Sequence, residues 1–367
     1  MKVMCMYLPQ YHSFPENDEW WGKGYTEWTA VRRGRPLYKG HIQPRVPLDN
    51  RYYDLVDEGV ETLKWQAETA RRYGIYGFSI YQYWFCGKQL MQRPMEILLE
   101  HSEIDINFCI CWANESWTRT WYGLSEQVLM KQDYGEEEDW YRHFEYLLKF
   151  FNDKRYIKID NKPVLQIYRS FDIECLDRML NCFNKWAHGE GYDGIYVMAG
   201  RTAGQQELRT ELIDGYYYFE PGYTLKHDFS KWNETKYNVS VLWYTMLNKI
   251  FREKRLERSI KASLILDGIT KRDYKENEFP GLIADWDNTP RRDYKGLVYK
   301  GTSPEKFEEA LGVLKKKKEG HKTDFVFINA WNEWGEGAML EPDEYRKYGY
   351  LEAIGRVTQG TNKGLSS

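Results

Sequence analysis

The feature that most constrains the fold is an alternation of short apolar runs with amphipathic stretches along most of the chain. Runs rich in β-branched and aromatic residues have the composition of parallel strands that are buried on both faces. Eight such runs occur, at 2–8, 75–83, 106–112, 163–168, 194–198, 215–219, 281–284 and 325–328. Helical spacing of apolar residues predicts helices at 53–73, 94–101, 137–152, 176–189 and 240–258, and another around 307–314. Eight strands alternating with helices over 367 residues predict an α/β fold, a (β/α)8 TIM barrel with long βα loops inserted at its C-terminal face.

Two long segments interrupt this alternation. Residues 9–50 are rich in Pro, Gly and Trp and lack clear periodicity, and a segment of that length inside a compact domain is usually functional. Residues 267–300 are polar and irregular apart from the short apolar run at 281–284. Neither an internal repeat nor a low-complexity linker divides the sequence, so we expect one catalytic domain over 1–367.

Composition narrows the class of protein. The net charge is −3 without a basic stripe, which argues against a nucleic-acid partner. No apolar stretch is long enough for a membrane span and no signal peptide precedes the first strand, so we expect a cytoplasmic protein. Six cysteines in a chain of this size do not form a disulfide framework, and Cys109-x-Cys111 lacks the rest of a zinc set. We predict neither a metal nor a cofactor.

The last predicted strand delivers two carboxylates, Glu333 and Glu336, between two tryptophans and two glycines. On a continuing strand, residues three apart point to opposite faces, whereas after a helical turn they are neighbours about 5–6 Å apart at Cβ. Gly335 and Gly337 supply the backbone freedom that such a turn needs. We therefore predict that the chain turns here and that both carboxylates line one pocket. The alternative is a strand end with two solvated glutamates.

Polar and aromatic residues follow most of the other predicted strands, where a (β/α)8 barrel carries its active site. Aromatic residues make up 17% of the chain, with 15 Trp and 30 Tyr, and many stand beside polar residues. Flat rings of this kind pack against the C–H faces of sugars, so we expect an oligosaccharide or polysaccharide partner. The predicted substrate-binding residues are Tyr7, Gln10, His12, Trp28, Tyr83, Trp84, Trp112, Asn114, Glu115, Trp117, Tyr168, Glu220, Asp285, Asp287, Trp331 and Asn332, and Arg119 belongs to the same clusters.

Paired carboxylates in an aromatic groove suit the chemistry of glycosidic bonds. One carboxylic acid protonates the leaving oxygen, while a second group manages the positive charge that develops on the sugar ring. Retaining pairs lie about 5–5.5 Å apart and inverting pairs about 6.5–9.5 Å. The spacing of Glu333 and Glu336 favours the closer arrangement if the turn forms.

Four motifs carry a family resemblance: Tyr7-Leu-Pro-Gln-Tyr-His12, Trp20-Trp-Gly-Lys-Gly-Tyr-Thr-Glu-Trp28, Trp112-Ala-Asn-Glu115 and Trp331-Asn-Glu-Trp-Gly-Glu-Gly337. They resemble the WbsX-like proteins of bacterial O-antigen and capsule clusters, which are related to glycoside hydrolase family 99, the endo-α-mannosidases. The resemblance covers nearly the whole chain, and the likeness to the endomannosidases is strongest at the final strand.

This resemblance implies a (β/α)8 barrel and a retaining mechanism without an enzymic nucleophile. One carboxylate deprotonates the 2-hydroxyl of the substrate, which attacks the anomeric carbon to give a 1,2-anhydro sugar. Carried onto this sequence, Glu333 would assist the 2-hydroxyl and Glu336 would act as general acid and then base. Tyr7 and Trp28 would help to hold the sugar.

Three alternatives stay open from the sequence. In the first, Glu115 is the acid and Glu333 a true nucleophile. In the second, the protein is a glycosyltransferase and Asp285-x-Asp287 holds a metal and a nucleotide sugar, although no glycine-rich phosphate loop accompanies it. In the third, the barrel binds polysaccharide without catalysis.

Overall fold

The computed structural model of the protein describes residues 1–118, 128–204 and 210–360. Its strands, in chain order, are β1 (Lys2–Tyr7), β2 (Ile75–Phe85), β3 (Lys88–Leu90), β4 (Asn107–Trp112), β5 (Trp117–Thr118), β6 (Val128–Met130), β7 (Lys158–Ile159), β8 (Lys162–Ile167), β9 (Tyr196–Arg201), β10 (Gly215–Tyr218), β11 (Arg258–Lys261), β12 (Glu278–Phe279), β13 (Gly281–Ile283), β14 (Leu297–Lys300), β15 (Phe325–Asn329), β16 (Asn332–Glu333) and β17 (Ala338–Met339). The α-helices are α1 (Pro15–Trp21), α2 (Glu27–Arg33), α3 (Gly59–Arg72), α4 (Arg93–Glu100), α5 (Glu137–Phe151), α6 (Leu176–Gly189), α7 (Lys231–Phe251), α8 (Ala262–Lys271), α9 (Thr289–Arg292), α10 (Pro304–Lys318) and α11 (Gly349–Gln359).

Parallel strands form the barrel in the order β12, β10, β9, β8, β4, β2, β1, β15, β13. The two ends of this order are consecutive in the chain, because only Pro280 separates β12 from β13. β12 pairs with β10, β13 pairs with β15, and the amide of Phe327 donates to the carbonyl of Pro280 at 2.9 Å. Residues 278–283 therefore act as a single strand position that closes the ring. The structure confirms the predicted (β/α)8 barrel.

The barrel strands form where the sequence is apolar without alternation. All five residues of β15 are buried, as expected for a parallel strand covered on both faces. The covering helices are amphipathic: α3, for example, buries Leu63, Ala67 and Ala70. In α10 the hydroxyl of Ser303 accepts the amide of Lys306 at the start, and four lysines occupy the last turn, where the helix dipole favours cations.

The region between β10 and β13 differs from the prediction. The helix predicted at 240–258 begins at Lys231 and ends at Phe251, and it is followed by β11 and α8. The last turn of α8 extends into 267–300, the stretch expected to be irregular. Ser230 fixes the true start, because its hydroxyl accepts the amide of Asn233 at 3.2 Å. The apolar pattern predicted the wrong helix bounds because many of the large apolar side chains of α7 are exposed, so their spacing does not mark a core face.

The long segment at 9–50 carries α1, α2 and a 3₁₀ turn at Leu48–Asn50. Within the described ranges, no helix combines the length and the apolar character that a bilayer crossing needs.

Candidate active site

The turn after β15 places Glu333 and Glu336 side by side. β16 leads into a 3₁₀ turn at Trp334–Glu336, and Gly337, at φ +63°, returns the chain into β17, which pairs antiparallel with β16. The side chain of Asn332 anchors this turn to the end of β1: it accepts the amide of Leu8 at 2.8 Å and donates to the Leu8 carbonyl at 2.9 Å. The turn is thus held by a barrel strand.

A buried carboxylate, Glu341, fixes the two tryptophans of the turn. The indole nitrogens of Trp331 and Trp334 donate to it at 2.9 and 2.6 Å, and Gln66 and the Tyr53 hydroxyl donate as well, at 2.7 and 3.0 Å. Burial raises the pKa of Glu341 to about 7, and these four donors oppose that rise. Both tryptophan rings are consequently part of the support beneath the site.

Arg291, at the end of α9, connects three carboxylates. Its Nη1 donates to Glu336 at 2.8 Å, its Nη2 to Glu333 at 3.2 Å and its Nε to Glu27 at 2.8 Å. Glu27, from α2, is fully buried. Because one rigid guanidinium binds both Glu333 and Glu336, the two carboxylates face the same space.

Gly335 makes this arrangement possible. A Cβ atom at this position would lie 1.7 Å from Oε1 of Glu27 and 2.7 Å from Nε of Arg291. The ion pair therefore passes directly over the backbone of the turn, and only glycine leaves room for it.

Burial and mutual repulsion change the acidity of the pair. Burial raises the pKa of Glu333 well above its usual range, and the charge of Glu336 raises it further, while Arg291 lowers it. Burial also raises the pKa of Glu336, with Arg291 again opposing. Since neighbouring carboxylates ionise together only at high cost, the pair retains a proton near neutral pH and can present one acid and one base.

The pair lines a cavity of about 360 Å³ above the barrel. Seven residues predicted for the site meet there: Gln10, Tyr83, Glu115, Trp117, Tyr168, Glu333 and Glu336. The rest of the wall includes Trp21, Tyr81, Phe219, Leu225, Trp286, Asn288, Arg291 and Arg292. Aromatic rings and carboxylates therefore line the same space.

Glu115 is the third predicted carboxylate on this wall. It forms an ion pair with Arg169 at 3.1 Å and its side chain is 30% exposed. Burial raises the pKa of Glu115, and the charge of Arg169 opposes the rise. The amide oxygen of Asn114 accepts a hydrogen bond from the backbone amide of Arg169 at 2.8 Å. Asn114 therefore positions Arg169, the ion-pair partner of Glu115.

The other predicted aromatic residues lie behind the cavity wall. The Tyr7 hydroxyl donates to Gln66 at 2.7 Å. Trp28 donates its indole N–H to the Tyr53 carbonyl at 2.8 Å and packs against Trp334. Trp84 stacks on His143 with centroids 4.6 Å apart, and Trp112 donates to the Trp84 carbonyl at 3.2 Å. With Trp331, these residues build the support of the wall, and a direct sugar contact for them stays a prediction.

The remaining predicted polar residues are also buried beside the cavity. Asp285 pairs with Arg45 at 2.7 Å, and Asp287 with His41 at 2.7 Å. Burial opposes ionisation of Asp287, yet hydrogen bonds from His41, Thr289 and Gln43 lower its pKa. Arg45 and His41 thus occupy the two carboxylates of the Asp-x-Asp sequence, which disfavours that pair as a metal-diphosphate ligand. Glu220 pairs with Arg272 at 2.9 Å, and the ring of His12 lies 3.1 Å from the Pro9 carbonyl.

Two central residues were not singled out from the sequence. Arg291 lies in the stretch expected to be irregular, and Glu27 lies inside a resemblance motif but received no role. Arg291 and Glu27 lie 264 positions apart, and the contacts of Arg291 to the turn span 42 and 45 positions, so no local pattern marks them. Arg119 lies outside the described residues.

The structure is a (β/α)8 barrel whose cavity is lined by a carboxylate pair and by aromatic rings. The sequence model of the family described as "Glycosyltransferase WbsX" matches residues 3–354, and the chain belongs to this family. The protein WxcX of Xanthomonas campestris pv. campestris strain B100 is 32% identical over 356 residues, 96% of this chain and 48% of WxcX. The chain spans about half the length of the curated relatives that it matches.

Solved structures agree with the fold. The GH99 endo-alpha-mannosidase from Bacteroides thetaiotaomicron superposes with a TM-score of 0.52 at 14% identity, covering 98% of this chain and 96% of that one. A chain described as "Glycoside hydrolase-like protein" gives a TM-score of 0.56 at 13% identity, covering 97% and 93%. The expected relation to the WbsX-like family and to the family 99 fold is confirmed.

Proposed function

We propose that the chain is a retaining glycoside hydrolase that cleaves a bacterial oligosaccharide or polysaccharide with Glu333 and Glu336. The observation that carries this proposal is the binding of both carboxylates by the single guanidinium of Arg291 at the edge of an aromatic cavity. The fold neighbour from Bacteroides thetaiotaomicron is an endo-α-mannosidase, and we extend the bond type to this chain without assigning the sugar.

In the proposed reaction the two carboxylates share one mobile proton. Because the pKa of Glu333 is raised by burial and by the charge of Glu336, the resting proton lies on Glu333, and in this scheme it passes to Glu336 before the reaction. Glu333, then ionised, takes the proton of the substrate 2-hydroxyl, whose oxygen attacks the anomeric carbon and displaces the leaving oxygen. Glu336, protonated, gives its proton to the leaving oxygen, and then accepts one from the water that attacks the anomeric carbon of the 1,2-anhydro sugar. This attack breaks the bond to the 2-oxygen, and Glu333 returns its proton to that oxygen. Arg291 steadies whichever carboxylate is ionised, because it donates to both. Such substrate-assisted schemes are a known departure from the two-carboxylate rule.

The cavity rings support the binding half of the proposal. Trp117, Trp286 and Tyr168 border the same space as the carboxylates, so a sugar held against a ring has its anomeric carbon near the pair. Under this proposal the βα loops recognise the substrate and the barrel supports them.

A glycan screen with the wild type, Glu333→Gln and Glu336→Gln tests this function, with the anomeric configuration of the first product followed by NMR. We expect retention, and loss of activity in both variants. A glycosyl fluoride, whose leaving group needs no protonation, separates the roles: it should restore turnover to Glu336→Gln and leave Glu333→Gln inactive. The reverse pattern would exchange the two assignments, and inversion would contradict the mechanism.

A second assignment uses Glu115 as acid/base and Glu333 as a nucleophile. It is favoured by the position of Glu115 on the same cavity wall and by the burial that raises its pKa. A 2-fluoro glycosyl trap distinguishes the two schemes. A covalent sugar on Glu333 would support this assignment and contradict the anhydro-sugar route.

The family description favours a glycosyltransferase as the second candidate class. Incubation with nucleotide sugars and acceptor oligosaccharides tests it directly. Transfer to an acceptor that Glu333→Gln and Glu336→Gln abolish, without release to water, would replace the hydrolase proposal.

A further inference from the structure

A second cavity, of about 550 Å³, adjoins the first and has a different lining. Arg291 and Arg292 belong to both cavities. The second cavity, here called the arginine groove, is lined by Arg33, Arg35, Arg258, Thr289, Pro290, Arg291, Arg292, Asp293 and Lys295. Cations thus come from the region of α2, from β11 and from the α9 region, three separate parts of the chain that the fold brings together.

The positive charge of the groove is compensated mainly at Arg291, whose three carboxylate partners lie outside the groove lining. Asp293 contributes the one carboxylate of its lining within the described residues, and it pairs with Arg35 at 2.8 Å and with Lys254 at 4.0 Å. In the described part of the chain, no carboxylate forms an ion pair with Arg33, Arg258 or Lys295. Burial lowers the pKa of Arg292, and the neighbouring charge of Arg258 lowers it further. The protein therefore holds like charges together, an arrangement that a bound anion relieves.

We propose that the arginine groove binds a phosphate or pyrophosphate group of the substrate. Guanidinium groups match phosphate oxygens in two-pronged geometry, and several cations around one cavity suit a multiply charged group better than a single carboxylate. Arg292 acts electrostatically on Glu336, so the groove lies on the side of that carboxylate. The placement of the phosphate next to the leaving group rests on the proposed function, whereas the binding of phosphate does not.

Isothermal titration of the full chain with inorganic pyrophosphate, with inorganic phosphate and with glucuronate tests the proposal. We expect pyrophosphate to bind most tightly. Arg258→Gln and Lys295→Gln should each weaken pyrophosphate about tenfold, because each removes a charge-assisted contact. Lys322→Gln, which alters an exposed cation elsewhere, serves as the matched control. Glu336→Gln should lose turnover but keep pyrophosphate binding, which separates this proposal from the proposed function.

Two outcomes would overturn the phosphate assignment. One is glucuronate binding in the groove without pyrophosphate binding. The other is equal weakening by Arg258→Gln and Lys322→Gln, which would show only a general charge effect. If pyrophosphate binds as expected, a nucleoside diphosphate and a sugar phosphate compared in the same titration identify the source of the group.

A different observation concerns helix α7. Eight large apolar residues lie exposed on this helix: Trp232, Val239, Leu242, Trp243, Tyr244, Met246, Ile250 and Phe251. Five of them, at 232, 239, 243, 246 and 250, recur at intervals that place them on one helix face. Leu242 is 70% exposed and Trp232 67%, and Asn248 is the one residue of this helix that is buried. An apolar stripe of this size on a surface marks an interaction site.

We infer that this stripe docks on an anionic lipid surface. α7 carries three lysines and a single glutamate, and Lys236 lies over the ring of Trp232 at 4.7 Å. A second copy of the helix would meet the same positive charge, whereas acidic headgroups complement it. Trp and Tyr beside Lys are typical of helices that lie in a membrane interface. The helix lies next to the arginine groove, since Lys254, just after it, reaches Asp293.

Vesicle flotation tests the docking. One set of vesicles contains phosphatidylcholine alone, and in the other about one lipid in three is phosphatidylglycerol. We expect binding to the anionic vesicles, lost in Leu242→Gln/Trp243→Gln and retained in Tyr345→Gln, which removes an exposed ring elsewhere. Lys236→Gln should weaken binding about fivefold, as one interfacial charge does. Failure to float, or a solution dimer that Leu242→Gln/Trp243→Gln abolishes, would overturn this inference.

Discussion

The two adjoining cavities use charge in opposite ways. In the first, three carboxylates surround one guanidinium, and each is held by a buried turn or helix. In the arginine groove, cations outnumber carboxylates and several of them are exposed. Enclosed and compensated charge tunes proton affinity, whereas open charge of one sign attracts an ionic group. Under the two proposals the first cavity carries the chemistry and the arginine groove the recognition, and Arg291 and Arg292 line both.

Substitution of the carboxylate pair should give the largest difference between the two cavities. We expect Glu333→Gln and Glu336→Gln each to reduce kcat on a natural glycan by about 10³-fold, within the range that general acid–base groups contribute. Pyrophosphate affinity should not fall, because neither side chain lines the arginine groove and each substitution removes a negative charge that is bound to Arg291, which does line it. Steady-state kinetics and titration of the same preparations measure both. Parallel loss of turnover and pyrophosphate binding would mean that the cavities form a single site.

Substitution of Arg291 tests the boundary between the two cavities. Its positive charge lowers the pKa of Glu333 and of Glu336, so Arg291→Gln should raise both pKa values. We expect the pH optimum of kcat/KM to move upward by about one pH unit and the activity to fall about 10²-fold. Arg169→Gln is the control, since Arg169 pairs with Glu115 and Asp172 instead. An upward shift in the control and none in Arg291→Gln would favour Glu115 as the acid.

The same substitution changes stability with a definite sign. A buried carboxyl whose folded pKa exceeds its unfolded value favours the folded state while protonated, and this contribution is lost as the pH rises through the folded pKa. Arg291→Gln raises the folded pKa values further, because one opposing charge is removed. Urea unfolding should therefore show that the variant loses stability relative to the wild type between about pH 7 and pH 9, as the pH rises through the folded pKa of Glu333, which is about 8. A constant difference across this range would contradict the assignment of the shift to Arg291.

Substitution of Gly335 tests the carboxylate site by filling space and leaves its charges unchanged. Gly335→Ala places a methyl group on the Glu27–Arg291 ion pair, so we expect a loss of about 2 kcal/mol in the free energy of unfolding and a marked fall in kcat. Gly312→Ala is the matched control: no atom lies near the added Cβ and the position is inside α10, so stability should rise by about 0.5–1 kcal/mol. Denaturant unfolding measures both. Equal stability of Gly335→Ala and the wild type would show that the ion pair has room to move.

The sequence was informative wherever structure depends on neighbours along the chain. The barrel strands are continuous apolar runs, and the turn at Gly335 and Gly337 follows from backbone freedom, so both could be predicted. Arg291 could not, because its partners lie 42, 45 and 264 positions away and it stands in a polar stretch without periodicity. Contacts of that range depend on how the loops fold over the barrel.

The aromatic residues show the same limit. A ring beside polar neighbours fits a cavity wall or a packed support equally well, and the sequence does not say which side faces inward. Trp117 lines the cavity, whereas Trp28 and Trp84 use their indole N–H groups on Tyr53 and Asp139. Helix α7 inverts the usual rule altogether, since its apolar stripe faces outward and its spacing gave the wrong helix bounds.

The smallest expected difference between the two cavities is the response of ligand binding to salt. Raising the ionic strength from about 0.05 to about 0.5 M shortens the screening length severalfold, and exposed charges lose most of their long-range attraction. Pyrophosphate binding in the arginine groove should therefore weaken about tenfold over this range, because Arg33, Arg35 and Lys295 are exposed. The KM of a neutral oligosaccharide should change by less than a factor of about two, since ring packing is insensitive to screening. A neutral substrate whose KM follows the salt dependence of pyrophosphate would place the sugar in the groove and remove the distinction between recognition and chemistry.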